Sequence, residues 1–246
     1  MAKDSLEQSI QHLKEALKVA DERSQRQDKV LKTMALRLRR QESVTEIQNL
    51  MSSFWMWTGK EEKVTVMWAL NTPGVRIELD GIGAWDGADG IRKYQEAHGL
   101  KDRKGSIHLG VGALIMHLLT SSIIEVAGDG KTAKAVWMSP GVETVPGKDG
   151  KVDGKWLWNQ IACDFVIEDG KWKIWHLHMF PIFKCSYYKS WVDDPWIMPG
   201  SANFPDDLKP DRLSSTWRPY TLTTAREIRP TPPEPFETYD NSDYMG

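Results

Sequence analysis

Residues 4 to about 42 are polar and have a sparse apolar stripe. Leu6, Ile10, Leu13, Leu17 and Ala20 recur at alternating intervals of four and three residues, which is the a/d heptad pattern of a coiled coil. The same register continues through two polar positions and then three apolar ones, namely Ser24, Gln27, Leu31, Met34 and Leu38. Because so narrow a stripe buries little by itself, the pattern predicts a helix that packs on its own domain or on a second copy of the chain.

A second segment with helical periodicity follows, and it predicts a separate helix over roughly 43–58 that ends at Gly59. Its apolar positions are Ile47, Leu50, Met51, Phe54 and Trp55. Thr72-Pro73-Gly74 predicts a turn before a short strand over 75–79, and Trp85-Asp86-Gly87 leads into a helix predicted over about 88–98.

The pattern becomes strand-like after about residue 113. Four strands are predicted, over 113–127, 131–145, 155–168 and 171–183. Gly128-Asp129-Gly130 and Glu168-Asp169-Gly170 have the composition of tight hairpin turns. Helices first and an antiparallel meander afterwards indicate an α+β domain and not an alternating α/β one.

The last sixty or so residues combine many prolines with large aromatic side chains and show no regular periodicity. Such a segment is too apolar for a free tail, so we expect an extended arm wrapped over the domain or over a neighbouring subunit. The chain therefore divides into an amphipathic helix over 1–42, a domain over 43–185 and a C-terminal arm over 186–246.

Composition and charge exclude several classes of function. The chain has 32 Lys+Arg against 34 Asp+Glu, a net charge of −2, so it lacks the basic excess that neutralises a nucleic-acid backbone. We see no signal peptide, no membrane span and no metal-binding spacing around Cys163 and Cys185. We expect a cytoplasmic protein with no nucleic-acid or membrane partner, no metal and no cofactor. The twelve tryptophans suggest large flat apolar surfaces, in a core or around a flat ligand.

Strand alternation brings one carboxylate into an apolar environment. Along 155–168, Asp164 shares a face with Ala162 and Val166, and both faces of this strand carry apolar bulk. A buried carboxylate needs a partner or has a raised pKa. Asp164 is therefore either a general acid or base, or the orienter of a histidine, or a structural hydrogen-bonding group.

Histidines supply the other candidate groups. If no bulge interrupts 171–183, His176 and His178 share a face with Trp172, Ile174 and Phe180, a spacing that suits acid–base chemistry or two metal ligands. A structural role is the alternative for one of the pair. His117 lies in an apolar run, where a lone histidine is more often a core residue, and His108 and Glu143 lie near predicted turns.

Four pieces of the sequence resemble SnoaL-like proteins of the nuclear transport factor 2-like superfamily, over about 44–183. They are the helix Ile47-Gln48-Asn49-Leu50-Met51, the G-x-W-x-G-x-x-x-I segment at Gly83–Ile91, His117 followed by Ile124-Glu125-Val126, and Asp164-Phe165 leading to Asp169-Gly170-Lys171-Trp172-Lys173-Ile174. The resemblance implies a cone-shaped, curved antiparallel sheet packed on helices, whose mouth holds a small hydrophobic ligand. It also implies cofactor-independent chemistry by histidine, aspartate and tyrosine in an apolar pocket.

The resemblance guides the assignment of residues. His117 and Asp164 match positions where the family has catalytic groups, whereas Phe54 and Gly59 stand where family dehydratases often have a tyrosine and an aspartate. We expect His117 to be the general base, Asp164 to be an acid or to orient a histidine, and His176 or His178 to stabilise the leaving oxygen. Predicted substrate-binding residues, of which at least half are expected to be core residues only, are Trp55, Trp57, Trp85, Trp137 and Trp158.

These expectations describe a cofactor-independent lyase that acts on a hydroxylated aromatic or polycyclic small molecule, by dehydration or by retro-aldol cleavage such as loss of formaldehyde. An isomerase or cyclase on a similar substrate and a non-catalytic ligand-binding module are the alternatives. The site's ionisable groups distinguish them, because an enzyme of this kind needs His117, Asp164 and the strand histidines in one cavity. A homo-oligomer, dimer or trimer, is expected from the heptad pattern, the open sheet and the arm.

Overall fold

A computed structural model describes residues 2–57, 60–98, 112–144, 151–194, 204–241 and 243–245 of the chain. Its contacts divide it into two compact units, Met1–Glu42 and Ser43–Gly246. The three-segment division made from the sequence stays a prediction. Gly59 and His108 lie outside the described residues.

A single helix, α1, runs from Ala2 to Met56. The separate helix expected over 43–58 is wrong, because it is the C-terminal part of this one. Neither glycine nor proline occurs anywhere between Ala2 and Met56, so nothing in the chain breaks the helix where the apolar pattern changes. Two shorter helices follow, α2 over Glu61–Thr65 and α3 over Gly87–Ala97.

Seven strands form one sheet in the order β2-β1-β7-β6-β5-β3, and β4 also pairs with β5. Their bounds are β1 Arg76–Leu79, β2 Gly83–Asp86, β3 Leu114–His117, β4 Thr120–Val126, β5 Thr132–Thr144, β6 Gly154–Glu168 and β7 Lys171–Ser186. The predicted α+β class is confirmed, and the sheet is curved and unclosed. One pairing, β1 with β7, is parallel, so the sheet is mixed and not wholly antiparallel.

The strand expected over 113–127 is two strands, β3 and β4, that pair with different parts of β5. Pro140 of β5 lies opposite the break: it has no N–H to donate, and its carbonyl oxygen accepts from the Leu118 N–H at 3.0 Å. Ser121 then adopts a left-handed φ of 51° in the stretch where the β4–β5 register shifts. The strand expected over 113–127 is thus interrupted opposite Pro140, which cannot donate a ladder hydrogen bond.

One face of the sheet, called the inner face here, packs on the C-terminal part of α1 and on α2 and α3. From the helices, Ile47, Met51 and Phe54 reach the same core as Trp137 and Phe165 of the sheet. All five side chains are buried. This core holds the sheet against the helices.

On the opposite, outer face, a bulge in β7 changes which side chains of that strand are present. Asp164 pairs with His176, but the next residue, Phe165, pairs with Ile174, so Trp175 is an extra residue. The expectation that Ile174 shares a face with His176 and His178 is therefore wrong. Ile174 lies in the inner-face core, and the two histidines lie on the outer face.

The C-terminal arm covers the outer face with little regular structure. It begins beside β2, where the Asp211 N–H donates to the Ala84 carbonyl oxygen at 2.8 Å, and reaches the β4–β5 turn, where the Gly128 N–H donates to Phe236 at 2.8 Å. Near its end Tyr244 and Met245 are buried against the sheet. The arm thus contacts its own domain, one of the two partners that the sequence left open. Among the described helices, none has the length and apolar character of a membrane span.

We predict that Gly141→Ala destabilises the fold by about 1–3 kcal/mol. Gly141 pairs with His117 across β3 and β5, and a Cβ added there would collide with the Met116 carbonyl oxygen. A matched control is Gly154→Ala, where the nearest atom to an added Cβ is 3.8 Å away. Urea unfolding followed by tryptophan fluorescence measures both, and equal unfolding midpoints for the two variants would contradict the prediction.

Candidate functional site

A small polar cluster interrupts the apolar inner face. His117 at the end of β3 and Asn159 of β6 approach each other, with 3.4 Å between the ring Nδ1 and the amide nitrogen. Ser139 lies directly opposite Asn159 across β5 and β6. The indole of Trp55, from α1, lies 4.6 Å from the imidazole, centre to centre. We call these four residues the His117 cluster.

Two members of the His117 cluster have unused hydrogen-bonding atoms. Within the part of the chain that the structure describes, the buried Trp55 Nε1 and Ser139 Oγ have no hydrogen-bond partner. Leaving such groups unpaired is costly, typically about 1–3 kcal/mol each. The cluster therefore offers an N–H donor and a hydroxyl to a polar atom brought in from outside.

Burial lowers the pKa of His117 from 6.5 to about 4. Glu143 opposes this effect and Lys184 adds to it, and these two form an ion pair of 2.7 Å. At neutral pH the imidazole is therefore uncharged. A neutral imidazole has one nitrogen that accepts a proton and one that donates.

A different cluster lies on the outer face. Asp164 Oδ2 accepts from His176 Nδ1 at 2.7 Å and from the Tyr239 hydroxyl at 2.9 Å. The Tyr244 hydroxyl lies 3.0 Å from Asp164 Oδ1 and 2.7 Å from the Cys163 carbonyl oxygen. Burial and then the Asp164 carboxylate raise the pKa of Tyr244 well above its ordinary value. This phenol is a fixed hydrogen-bond donor, and the arm supplies it.

His178 has its own acidic partners beside this group. Its Nε2 lies 2.7 Å from Asp80 Oδ1 and 3.5 Å from Glu78 Oε1. Burial acts to raise the pKa of Glu78, but His178, Ser215 and Arg212 outweigh it and hold the pKa below its ordinary value. Thr216 of the arm donates to Asp80 at 2.7 Å.

Glu78, Asp80 and His178 are also the set that could hold a metal ion among the described residues, because one ligand atom from each lies within 4.8 Å of the others. An imidazole with two carboxylates suits several divalent cations. Protein groups already serve these atoms, since the Ser215 hydroxyl donates to Glu78 at 2.6 Å and the Arg212 guanidinium lies 3.1 Å from it.

The structure therefore separates the predicted catalytic residues. Asp164, His176 and His178 lie together on the outer face under the arm, whereas His117 lies on the inner face. Cross-strand pairing shows this, because paired residues of neighbouring strands point to the same face of the sheet. Asp164 pairs with His176. His117 pairs with Gly141, and Gly141 pairs with Leu157 of β6, which is an odd number of residues from Asp164 and so points to the opposite face. The four side chains do not meet in one cavity.

The five predicted substrate-binding tryptophans also separate. Of these five tryptophans, Trp55 is the one that lies beside His117. Trp85 and Trp137 are buried in the inner-face core, and the Trp85 N–H donates to the Leu208 carbonyl oxygen of the arm at 3.1 Å. Trp57 is 44% exposed, and Trp158 is on the outer face beside Phe183.

Several residues of both clusters were not selected from the sequence. Asn159 and Ser139 were detectable, because each is a polar residue at an inward position of an otherwise apolar strand. Glu78 was not detectable in this way, because it alternates with the inward Ile77 and Leu79 of β1, as an exposed residue of a half-buried strand would. Tyr239, Tyr244 and Thr216 were not, since their partners are 75, 80 and 136 residues away and the arm has no periodicity that assigns a face.

Comparison with known proteins identifies the family. A model of the SnoaL-like domain matches residues 39–178, more than half of the chain. The chain belongs to the SnoaL-like family. The resemblance inferred from the sequence motifs is thereby confirmed. The matched segment includes His117, Asn159, Asp164 and both strand histidines, and it leaves most of the N-terminal helix and the whole arm outside.

Solved structures with a similar fold have low identity to this SnoaL-like chain. A protein of Novosphingobium aromaticivorans proposed to be a scytalone dehydratase is 14% identical, with 62% of this chain and 92% of that chain covered and a TM-score of 0.49. A type 2 hexachlorocyclohexane dehydrochlorinase is 15% identical, with 62% and 94% covered and a TM-score of 0.49. A Mycobacterium tuberculosis protein of unknown function is 21% identical, with 68% and 82% covered and a TM-score of 0.41. No curated protein matches the chain.

We predict that Tyr244→Phe lowers the free energy of unfolding by about 1–3 kcal/mol, because it removes the single O–H that lies within hydrogen-bonding distance of two buried acceptors, the Cys163 carbonyl oxygen and Asp164 Oδ1. Tyr188→Phe is the control, since that side chain is 87% exposed. Denaturant titration measures both variants. A Tyr244→Phe protein as stable as the control would show that the arm contributes no hydrogen bond of consequence here.

Proposed function

We propose that this SnoaL-like protein is a cofactor-independent lyase whose reaction takes place at the His117 cluster. The observation that supports this most is an imidazole kept uncharged by burial, next to the Asn159 amide and to two polar atoms without partners. Proton removal needs a neutral base, and a developing oxyanion needs donors nearby. The cluster offers both on the inner face.

His117 is the base in this proposal, and Asn159 determines which nitrogen reacts. If the Asn159 amide oxygen accepts from Nδ1–H, Nε2 is free to take a proton. If the amide nitrogen donates to Nδ1, Nε2 carries the hydrogen and acts as a donor. With Nδ1–H held by the amide oxygen, His117 can take up a proton at Nε2 in one step and return it from the same nitrogen in the next.

Two lyase reactions fit these groups. In a dehydration, His117 removes a proton from carbon, and the resulting imidazolium gives that proton to the neighbouring hydroxyl, which leaves as water. In a retro-aldol cleavage, His117 takes the hydroxyl proton, the carbon–carbon bond breaks, an aldehyde such as formaldehyde leaves, and the imidazolium returns the proton to the carbanion. Ser139 and the Trp55 N–H are the donors to the oxygen in either case. Positioned acid–base catalysis of this kind typically contributes about 10²–10⁴-fold.

A flat, hydroxylated aromatic or polycyclic molecule is the proposed substrate. Trp55 presents an indole ring beside His117, and such a ring stacks favourably on another aromatic ring. The two unpartnered atoms then select for hydroxyl or carbonyl groups on that molecule.

Asp164, His176 and His178 are not assigned to the reaction. Trp175, Tyr239 and Tyr244 pack around Asp164 and His176. Phe180 packs on His178, and Thr216 donates to Asp80, the partner of His178.

A ligand-binding module without catalysis is the second candidate. The contacts of His117 favour this candidate. Among the described residues, Asn159 and Trp55 contact its ring, and neither of them can act as a second acid or base. An isomerase or cyclase would use the same base and would differ only in retaining every atom of the substrate.

We predict that His117→Ala lowers kcat/KM at least 10²-fold toward a hydroxylated aromatic substrate, because it removes the proton acceptor. The screen uses chelator-treated protein and a panel of hydroxylated aromatic and steroid-like compounds, with product mass measured. Loss of water or of an aldehyde indicates a lyase, and an unchanged mass indicates an isomerase or cyclase. His12→Ala, an exposed histidine of α1, is the control.

Other outcomes identify other sites. Turnover that is unaffected in His117→Ala but lost in a folded Asp164→Asn or His176→Asn protein would move the reaction to the outer face. Turnover abolished by the chelator would point to Glu78, Asp80 and His178. Tight binding of a panel compound without turnover would support the binding module.

The pH dependence follows from the lowered pKa of His117. The base must be uncharged, so kcat/KM should be level from about pH 5 upward and fall below about pH 4, where the imidazole takes up a proton.

The free energy of unfolding should also decrease as the pH falls. The unfolded chain binds this proton near the ordinary pKa of 6.5, whereas the folded chain does not bind it until about 4. Stability should therefore decrease as the pH falls through this interval, and less so in His117→Gln. A kcat/KM inflection near 6.5 would contradict the assignment.

A further inference from the structure

The N-terminal part of α1 presents an apolar stripe to solvent. Large side chains at the a and d positions of the heptad are between 44% exposed, for Ile10, and 69% exposed, for Leu17. They are Leu6, Ile10, Leu13, Leu17, Leu31, Met34 and Leu38. An isolated helix gains little stability without packing on such a stripe. The heptad register spans Leu6 to Gln41, about 53 Å of helix.

The apolar stripe formed by these a and d residues is called the seam here. The charged residues on either side of the seam fit a second copy of the same helix. In a parallel pair, each residue just before an a position (position g) faces the residue five further on in the partner helix (position e). Arg23 then faces Asp28 and Arg37 faces Glu42, both of opposite charge, while Val30 faces Ala35, both apolar. Twofold symmetry repeats each of these pairings on the other side of the seam.

The antiparallel arrangement places like charges together. With the a and d layers matched, Asp21 faces Asp28 of the other helix and Glu7 faces Glu42. Like charges at these positions are unfavourable. The Arg37 and Arg23 side chains then face Ala16 and Val30, which offer no negative charge.

We propose that residues 6–42 form a parallel, in-register, two-stranded coiled coil with the same segment of a second copy of the chain. Ser24 and Gln27 form polar layers that meet their own copies only in this register, and polar residues at such positions specify alignment at a cost in stability. This assembly is independent of the function proposed for the inner face.

Sedimentation of the full chain tests the seam. Wild type is expected to be a dimer at micromolar concentration, and Leu17→Glu with Leu31→Glu is expected to be monomeric. The matched control places the same substitutions on exposed apolar residues of the same helix that lie off the seam, Val19→Glu with Leu36→Glu, and it should stay dimeric. All twelve tryptophans lie at or beyond residue 55, so tryptophan fluorescence reports whether Ser43–Gly246 stays folded in each variant.

A cysteine substitution tests the orientation. Leu13→Cys at a d position brings the two thiols side by side in the parallel pair, whereas in the matched antiparallel pair residue 13 faces residue 38 and the thiols are about 37 Å apart. The variant should therefore form a disulfide-linked dimer on mild oxidation. Val19→Cys should not, and neither should wild type, whose two cysteines are buried.

Charge reversal provides an independent measure of orientation. Asp28→Arg should weaken the dimer about tenfold because it faces Arg23 in the parallel pair, and Arg23→Glu with Asp28→Arg should restore most of that loss. In an antiparallel pair Asp28→Arg would instead strengthen association by removing its contact with Asp21. A monomeric wild type, a larger assembly, a dimer that survives the seam substitutions, or a stronger Asp28→Arg dimer would each overturn the proposal.

Discussion

Strands β6 and β7 are buried on both faces, and most of the structure follows from that constraint. Cys163 and Asp164 are adjacent in β6 and are both fully buried, because successive side chains of a strand point to opposite faces. One face is apolar and needs helices. The other contains carboxylates and imidazoles, which can be removed from water only if other groups take the place of water.

The arm provides those groups. Its hydroxyls from Tyr239 and Tyr244 contact Asp164, and those from Ser215 and Thr216 contact Glu78 and Asp80. Each carboxylate also has a histidine beside it in the sheet. On the outer face, Asp164, Glu78 and Asp80 thus each have several hydrogen-bonding or charged partners. The inner face has the opposite character, since Trp55 Nε1 and Ser139 Oγ have no partner among the described residues. Unmade hydrogen bonds beside a neutral imidazole are the reason that we propose the His117 cluster, and not the outer face, as the place where a ligand binds.

Periodicity along the chain was sufficient for the fold class and for three of the strands, because β5, β6 and β7 are long and the turns before β5 and before β7 contain glycine. It failed where a single residue changes the outcome. Pro140 divides β3 from β4, and Trp175 shifts the phase of β7 by one residue, so that Ile174 and His176 face opposite sides. The motifs drew attention to His117 and Asp164 but could not show that they lie on opposite faces of the sheet. The hydroxyl partners of Asp164 come from the C-terminal arm, which has no hydrophobic periodicity from which their positions could be predicted.

The arm's docking surface has a consequence for the order in which the chain folds. Glu78 and Asp80 come from one end of the sequence of the domain, and Asp164 and His178 from the other, so the surface exists only after β1 has paired with β7. Contacts this distant in sequence form slowly because closing the loop between them costs entropy. During synthesis the arm also leaves the ribosome after all seven strands. The sheet can therefore assemble with its charged face still hydrated, and the arm replaces that water once the pairing is complete.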